Sequence, residues 1–517
     1  MRLHNAWKGV WLASTLSLFG CGDDEPPRLT KVTVTCSPAP VPAGRTAKCS
    51  ASAQDQDGKP FPAYNYHWSS SDEAIALVDE DGQVSTFKPG TVNIKASATE
   101  GDSTQEGTFS LTASAAQSTV HQGVISSNQT WRASENPHLV KGTVTVKGST
   151  NPVLTLEEGT LVRFEQGAQL IIGDDNDGAG TLHAEGSPFA PILLTADSDS
   201  PQPGYWQGIS VTGQAAQGTV LSNVTIEYAG GVIPNAGDLE DLLKTLAAGL
   251  RVTGGDDETG TLRPVTVRDV TIQKSQNHGV LLTGAGLKND SARLTVLDTA
   301  GVAVRATANE VGTLPDDSSL QGNTTNAVQI LEGPVTTSQT WPNLGVPYQL
   351  ITTLDLGLAI GLTVASPSAP TLTLSPGTEF QMPAEGYISI GAQDENGALV
   401  PGKLKAEGSA QAPIRFVPAS ASPTKGFWSG LFFYGPSGSA LDYVTVTHAG
   451  LPLYGFMGGG NINVFSSMGF FVNHSTLSDS SGCGVAIDVS SGLVVDLSMP
   501  SLGNVFTNND GEAQCKK

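Results

Sequence analysis

Long runs of helix-forming residues are almost absent from this 517-residue chain. One amphipathic stretch, GDLEDLLKTLAA at 237–248, carries Leu239, Leu242, Leu243 and Leu246 on one stripe behind an Asp238 cap and reads as an excursion packed on a larger body. An all-helical fold is therefore excluded. Basic charge is also scarce: 27 Lys and Arg stand against 49 Asp and Glu, a net charge of −22. Nucleic acid and anionic membrane faces need basic patches, so neither is an expected partner. The longest apolar run, Val10 to Leu18, is too short to span a bilayer. Only five cysteines occur, without a CxxC pair or a nearby His, which argues against a zinc site. What is plentiful is glycine, with 60 residues, among short Val/Ile/Leu/Thr alternations broken by Gly, Pro, Asn and Asp. That pattern specifies an all-β chain. Charged residues make up 15% and form no long single-sign block, so most of the chain should fold.

One block occurs twice. TLEEGTLVRFEQGAQL, TLHAEGSPFAPILLTAD, YWQGISV and LSNVTIEYAGG in the first copy answer to TLSPGTEFQMPAEGYI, KLKAEGSAQAPIRFVPA, FWSGLFF and LDYVTVTHAG in the second. Trp206 to Trp428 and Pro191 to Pro413 are both 222 apart (428 − 206 and 413 − 191), while Gly159 to Gly377 is 218. Short strands recur at close spacing, and alternate Val, Ile, Leu and Phe would line a continuous interior. A single turn of chain cannot bury its own apolar face, whereas stacked turns can, which is the logic of a solenoid. Later stretches keep step. Asn277-His278-Gly279-Val280 parallels Gly482-Cys483-Gly484-Val485 at 484 − 279 = 205, and Gly322-Asn323 parallels Gly503-Asn504, where Asn can ladder in a turn.

The motifs GT-x-F, AEGS-x-x-x-PI, W-x-G-I and YAGG resemble the right-handed parallel β-helix repeats of the pectate-lyase-like superfamily. The resemblance covers residues 119–517, with copy one at 119–326 and copy two at 327–517. An array of β-sandwiches would explain the strand spacing but not the W-x-G-I and AEG-PI register. The least regular stretch, 284–330, including Leu314-Pro315-Asp316-Asp317, is the expected junction. One long helix or two stacked ones are both open at this point.

Residues 28–114 alternate in short runs, as in a β-sandwich. Trp68-Ser69-Ser70, Ala76-Leu77-Val78, Gly82-Gln83-Val84 and Gly90-Thr91-Val92 resemble bacterial Ig-like domains of the invasin and intimin type, which implies a spacer or adhesion module. Typical members lack the pair Cys36 and Cys49. Residues 1–20 combine Arg2 and Lys8, a short apolar run and Gly20-Cys21. They resemble a bacterial lipoprotein signal, which implies a lipid on Cys21, a tether at 21–27 and an outer-membrane or surface address, with membrane contact through that lipid alone. An ordinary secretory signal with an incidental Cys is the alternative. With Cys21 set aside, Cys36 with Cys49 and Cys483 with Cys515 is the simplest of three pairings in an exported chain. Cys515 left free in a frayed tail is the alternative.

Candidate chemistry is sparse. His278 lies in a turn motif, and His448 occupies the slot of Tyr228 (448 − 228 = 220), so neither reads as a general base. Asp174, Asp175 and Asp177 form a loop rich in oxygen ligands that would suit Ca²⁺, and Asp394-Glu395-Asn396-Gly397 recurs in the same slot; acidic glycine turns are also ordinary in secreted solenoids. Where copy one has Ser210 and Thr212, copy two has Phe432 and Tyr434, followed by an insertion with Tyr454 and Phe456. If Leu431 and Phe433 face inward, the two substituted rings face outward, where they can stack on a sugar or dock a protein. The loop folding over them as a satellite core is the plainer expectation. The resulting functional expectation is a non-enzymatic surface protein that presents its solenoid to a glycan or a surface partner. The alternative is a polysaccharide lyase or glycoside hydrolase, which would need a base and a cation on one strand face.

Overall fold

In the computed structural model, residues 26–516 are described apart from 63–64, 115–117, 175–177, 214–215, 233–246, 255–261, 332, 352–360, 435–437, 453–458, 466–470 and 489–495. The chain forms two compact units, Met1–Ala116 and Gln117–Lys517.

The first unit is an Ig-like sandwich. Strand Lys31–Ser37 alternates exposed and buried positions along its length, so Val32 and Val34 face the core. It pairs antiparallel with Thr46–Gln54, and the sheet continues through Gln83–Thr86 to Ala76–Val78. The second sheet is built on the hairpin of Gly90–Glu100 and Ser103–Ser114. Val84, Ile94 and Leu111 fill the space between the sheets and are fully buried. Cys36 stands directly opposite Cys49 across two neighbouring strands, and the two are joined.

The second unit is a parallel β-helix. Within one turn the chain lays a strand on each of three faces, then returns to pair in parallel with the strand it left one turn earlier. The first face stacks 138–140, Leu161–Phe164, Ile192–Ala196 and 224–226. The second stacks 143–146, Gln169–Ile172, Gly208–Thr212, Ala248–Thr253, His278–Thr283 and Val302–Thr307. The third stacks Gln129–Trp131, Val153–Leu156, Thr181–Glu185 and 219–222. Alternate residues face inward, as Val162 and Phe164 do, and the interior they fill is one continuous apolar core. Among the described residues no helix is long and apolar enough to cross a membrane.

The W-x-G-I motif has a physical reading here. Trp206 stacks on Phe164 at 3.7 Å inside the core, and its Nε1–H donates to the Glu227 carbonyl at 2.8 Å. Trp428 makes the equivalent bond to the Thr447 carbonyl at 2.7 Å. The glycine two residues later begins the second-face strand at positive φ, and a Cβ there would press on the rung above: 2.4 Å from the Ala248 carbonyl oxygen at Gly208, 2.7 Å from that of Gly460 at Gly430.

The two copies form one solenoid, and the strand that joins them, Thr325–Leu331, runs across the expected boundary between 326 and 327. Val302–Thr307 pairs with Thr325–Leu331, which pairs with Tyr348–Ile351. Val302–Thr307 lies on the second face of copy one, whereas Tyr348–Ile351 is the first-face strand of copy two and continues into Glu379–Met382, Ile414–Pro418 and Val444–Thr447. The second copy is thus rotated by one face relative to the first. A helical turn, Ala308–Val311, makes the adjustment. A side-chain ladder crosses the seam on the outside: Arg305 Nη2 donates to Gln329 Oε1 at 2.8 Å, Gln349 Nε2 to Gln381 Oε1 at 2.8 Å, and Gln381 Nε2 to Glu379 Oε1 at 3.1 Å. Arg415 closes the far end at 3.3 Å from Glu379.

At the opposite end, His121 stacks on Trp131 at 3.9 Å. His121 Nε2 lies 2.9 Å from His138 Nδ1, and His138 Nε2 lies 2.9 Å from the Arg132 carbonyl. Only an N–H can face that carbonyl, so His138 carries its proton on Nε2 and accepts from His121 through Nδ1. Burial first, then the neighbouring His138, push the His121 pKa down to about 4, against an opposing pull from Glu135.

Two predictions follow from these contacts. Trp206→Ala should cost about 3–5 kcal/mol in chemical denaturation, as expected for a large ring removed from a packed core; a loss near zero would contradict its central place. For His121, the unfolded chain binds a proton near pH 6.5 and the folded chain only near pH 4, so stability falls as pH drops through that window. The melting temperature should decline between those values, and His121→Gln should flatten the decline; an unchanged slope would remove His121 as its source.

Candidate functional site

The outer side of the second face in copy two carries a cluster of rings. Strands Tyr387–Ile390 and Gly430–Phe433 pair so that Ser389 stands beside Phe432, which in turn stands beside Asn463 of Gly460–Val464. Leu431 and Phe433 point into the core, as their alternation predicts, and Phe432 points away from it. Phe432 is nevertheless only 1% exposed. Phe465 lies over it at 6.1 Å and Tyr387 meets it edge-on at 6.2 Å. Phe432 is therefore part of a satellite core, and its expected role as a ligand contact is corrected. Tyr434 is half-buried and stacks on Phe465 at 4.7 Å with an interplanar angle of 5°. Burial, then the nearby Tyr387, raise the Tyr434 pKa, so its hydroxyl keeps its proton and can donate at neutral pH. Tyr454 and Phe456 lie outside the described residues. The shelf that remains in view is Tyr434 and Phe465 over a Tyr387–Phe432 base.

Phe465 and Tyr387 were not singled out from sequence. The signal for Phe465 was present: it follows Gly460–Val464 as Tyr434 follows Gly430–Phe433, 465 − 434 = 31 residues later. That spacing is one turn of the solenoid, so the two rings belong on neighbouring rungs.

A second set of side chains, part-buried at Tyr228, Lys274, His448 and Asp479 and exposed at Asp298 and Asn508, lines the corner after the first face. Tyr228, Lys274 and Asp298 in copy one, and His448, Asp479 and Asn508 in copy two, all adopt φ between 54° and 60°. Tyr228 and His448 share φ 60°, so the slot they share is a left-handed bend. Each places its backbone N–H on the next rung, as Tyr228 does on Gln273 and His448 on Ser478. Lys274 Nζ donates to Tyr228 Oη at 3.0 Å and sits 4.7 Å from the ring centroid, with Glu227 at 3.9 Å. In copy two, Asp479 accepts from Ser478 and Asn508, and these bonds hold its carboxyl below the usual range against the effect of burial. The offset 479 − 274 = 205 equals that of Gly279 and Gly484, so this pairing was readable from sequence. His278, expected in a turn, is the buried first residue of the strand His278–Thr283, and Ser275 Oγ donates to its carbonyl at 2.7 Å.

Of the acidic loop, Asp175 and Asp177 lie outside the described residues, while Asp174 binds Lys147 at 2.8 Å. The related loop shows what such turns do: Asp394 Oδ1 accepts the N–H groups of Asn396 at 2.9 Å and Ala398 at 2.8 Å. Asp55 and Asp79 in the sandwich cap their own D-x-D-G turns in the same way. In each of these three turns the Oδ1 oxygen is held by two backbone N–H groups. Among the described residues no group of three or more His, Cys, Asp or Glu is placed to hold a metal. Cys483 joins Cys515, tying the last second-face strand to its neighbour. Cys21 and residues 237–246 of the expected helical stretch 237–248 lie outside the described residues, and its last residue, Ala248, begins the strand Ala248–Thr253 instead.

Residues 29–109 match the bacterial Ig-like domain (group 2) family. No curated protein matches the chain. Among solved structures, the S-layer protein rSbsC(31-844) matches at 18% identity over 19% of this chain and 18% of that one, with a TM-score of 0.15, too low to bear on fold or function.

If the corner slot is conformational, His448→Asn and His448→Gly should leave the melting temperature nearly unchanged. His448→Val should cost about 1–2 kcal/mol, because a β-branched residue resists the left-handed region. Equal losses in all three would instead tie the cost to the imidazole itself.

Proposed function

We propose that this chain is a lipid-anchored protein of the bacterial outer membrane or cell surface that binds glycan without cleaving it. In this reading Cys21 carries the lipid, the Ig-like unit is a spacer, and the β-helix is the binding body. The observation that carries it is the half-buried Tyr434–Phe465 stack on the outside of the second copy. Phe465 backs one face of the Tyr434 ring and fixes it, so the opposite face of Tyr434 is a preformed platform for the C–H face of a sugar. The sandwich supports the address, since the family it matches is a bacterial Ig-like domain. The scaffold supports the mode, since every strand that bears the shelf is bonded to rungs on both sides.

The test is retention on immobilised polysaccharides, scored together with chain shortening. Retention without shortening is expected. Tyr434→Ala with Phe465→Ala should lower it about tenfold, near the 1.4 kcal/mol scale of one good aromatic contact. Far-UV circular dichroism of the variant should be unchanged. Shortening of the polysaccharide would overturn the reading in favour of a lyase or hydrolase.

A further inference from the structure

Among the described residues the most exposed large apolar side chain is Phe189, at 99%. It stands at the tip of a turn, 187–190, where the third-face strand Thr181–Glu185 passes into the first-face strand Ile192–Ala196. The turn is rigid. The Ser187 N–H donates to the Ala190 carbonyl at 3.2 Å, and the Ala190 N–H donates back to the Ser187 carbonyl at 3.2 Å. The Ala190 carbonyl also accepts the Gly159 N–H of the rung below at 2.8 Å. Copy two builds the same turn at 409–412, with an exposed Gln411 in the place of Phe189 (411 − 189 = 222). The turn therefore forms without a phenyl ring, and in copy one the ring is held out in water on a fixed mount. An aromatic side chain already fixed in place loses little freedom when a partner covers it.

Further along the same side of the rod lies a cleft of about 360 Å³. The rungs between them can be counted. Gly186 donates to Ser222, Ser222 pairs with Arg268, Arg268 pairs with Ala292, and Ser291 beside it lines the cleft. Three rungs at about 4.8 Å each separate the ring from the cleft by about 14 Å. Buried Leu314, Pro315 and Pro342 form the apolar floor, and Lys288, Asp316 and Thr340 stand at the rim. A cavity of about 150 Å³ accepts a benzene ring, so this one has room for a phenylalanine side chain. Phe189 does not reach the cleft of its own chain, because both are fixed to one stacked sheet. The charges around the two features are opposite. Glu158 and Glu185 flank the turn, and neither pairs with a cation among the described residues; the Lys288 ammonium has no acceptor among them. Between turn and cleft, one outer column of the first face reads Leu193, Thr225, Thr271 and Thr295 on successive rungs, without a charge.

We infer that this side of the solenoid is the interface of a two-fold dimer of the chain, in which Phe189 of each protomer enters the cleft of the other. An axis across the rod, midway between ring and cleft, reverses one protomer and makes both contacts at once, as an isologous interface requires. The reversal brings Lys288 of one protomer to Glu185 of the other. It carries the exposed Asp316 toward Arg132, which lies two rungs below Phe189 and is shared between Glu157 at 3.6 Å and Glu135 at 3.9 Å. The uncharged column lets the two rods lie close. An unrelated partner would have to supply both an apolar pocket and a cation at its rim, and this chain carries both on the side that bears the ring. An anionic membrane surface is disfavoured, because Glu158 and Glu185 stand beside the ring. The inference goes beyond the glycan-binding reading and uses no residue of the Tyr434–Phe465 shelf.

The test is sedimentation equilibrium of the full-length chain in density-matched detergent over a wide range of concentration. The mass should rise to that of two chains and stop there. Phe189→Gln should raise the dissociation constant about tenfold or more, without a change in melting temperature, because Gln411 already fills the same turn in copy two. Lys288→Glu should weaken the dimer by a similar factor. Lys288→Glu combined with Glu185→Lys should restore most of that loss, which a purely structural role for either residue would not produce. A chain that stays single at every concentration would overturn the inference. So would a dimer indifferent to Phe189→Gln, or a charge exchange that restores nothing. Growth of the mass beyond two chains would overturn it as well, since head-to-tail contacts do not close on themselves in this way.

Discussion

The hydrogen bonds that run from each rung to the next carry the whole solenoid. A parallel strand offers its N–H and C=O groups above and below, and no rung satisfies them alone. Stacking answers that demand and brings the inward side chains into one core. It also dictates the corners. The chain must bend between faces while its backbone stays in reach of the next rung, and the left-handed residues Asn223, Asp269 and Arg293 do this at one corner as Tyr228, Lys274 and Asp298 do at another. All six carry a polar group on the side chain, so every bend also sets a hydrogen-bonding group on the outside of the rung. The polar rows on the outside are by-products of the geometry that holds the inside. Asn323 and Asn504 show the same economy: each amide donates to two carbonyls and accepts a backbone N–H, closing a turn that the ladder leaves open.

The seam is where this regularity is most strained, and it is bridged from both sides. Inside, Val328 and Ile330 continue the apolar column without a gap. Outside, the Gln amides from 329 to 381 run in one direction between a guanidinium and a carboxylate. Such a row resists slippage, because a shift of one residue would put alkyl groups against amides.

The solenoid was legible because its signals are local and repeat. W-x-G-I demands a buried indole and a glycine under the next rung, and both recur at one spacing. The disulfides were legible because each pair falls within one neighbourhood of strands. The rotation between copies was not, since strand periodicity gives the same pattern on all three faces. The fate of Phe432 was only half legible. Alternation puts its ring outside, but its cover comes from Phe465 and Tyr387, each one rung away, and alternation along a single strand does not report what lies on the next rung. The acidic turns were ambiguous because a carboxylate that caps its own backbone, as Asp394 does, and one that waits for a cation share the same letters.

The rotation has a consequence for how the duplication can be used. Equivalent positions in the two copies look out in different directions, one face apart around the long axis. Ser210 and Phe432 correspond in sequence, yet they do not share a side of the rod. A flat partner therefore meets only one copy at a time in any given role. Each copy is free to diverge without disturbing its twin, and a partner that engages both must be long and supple enough to wind.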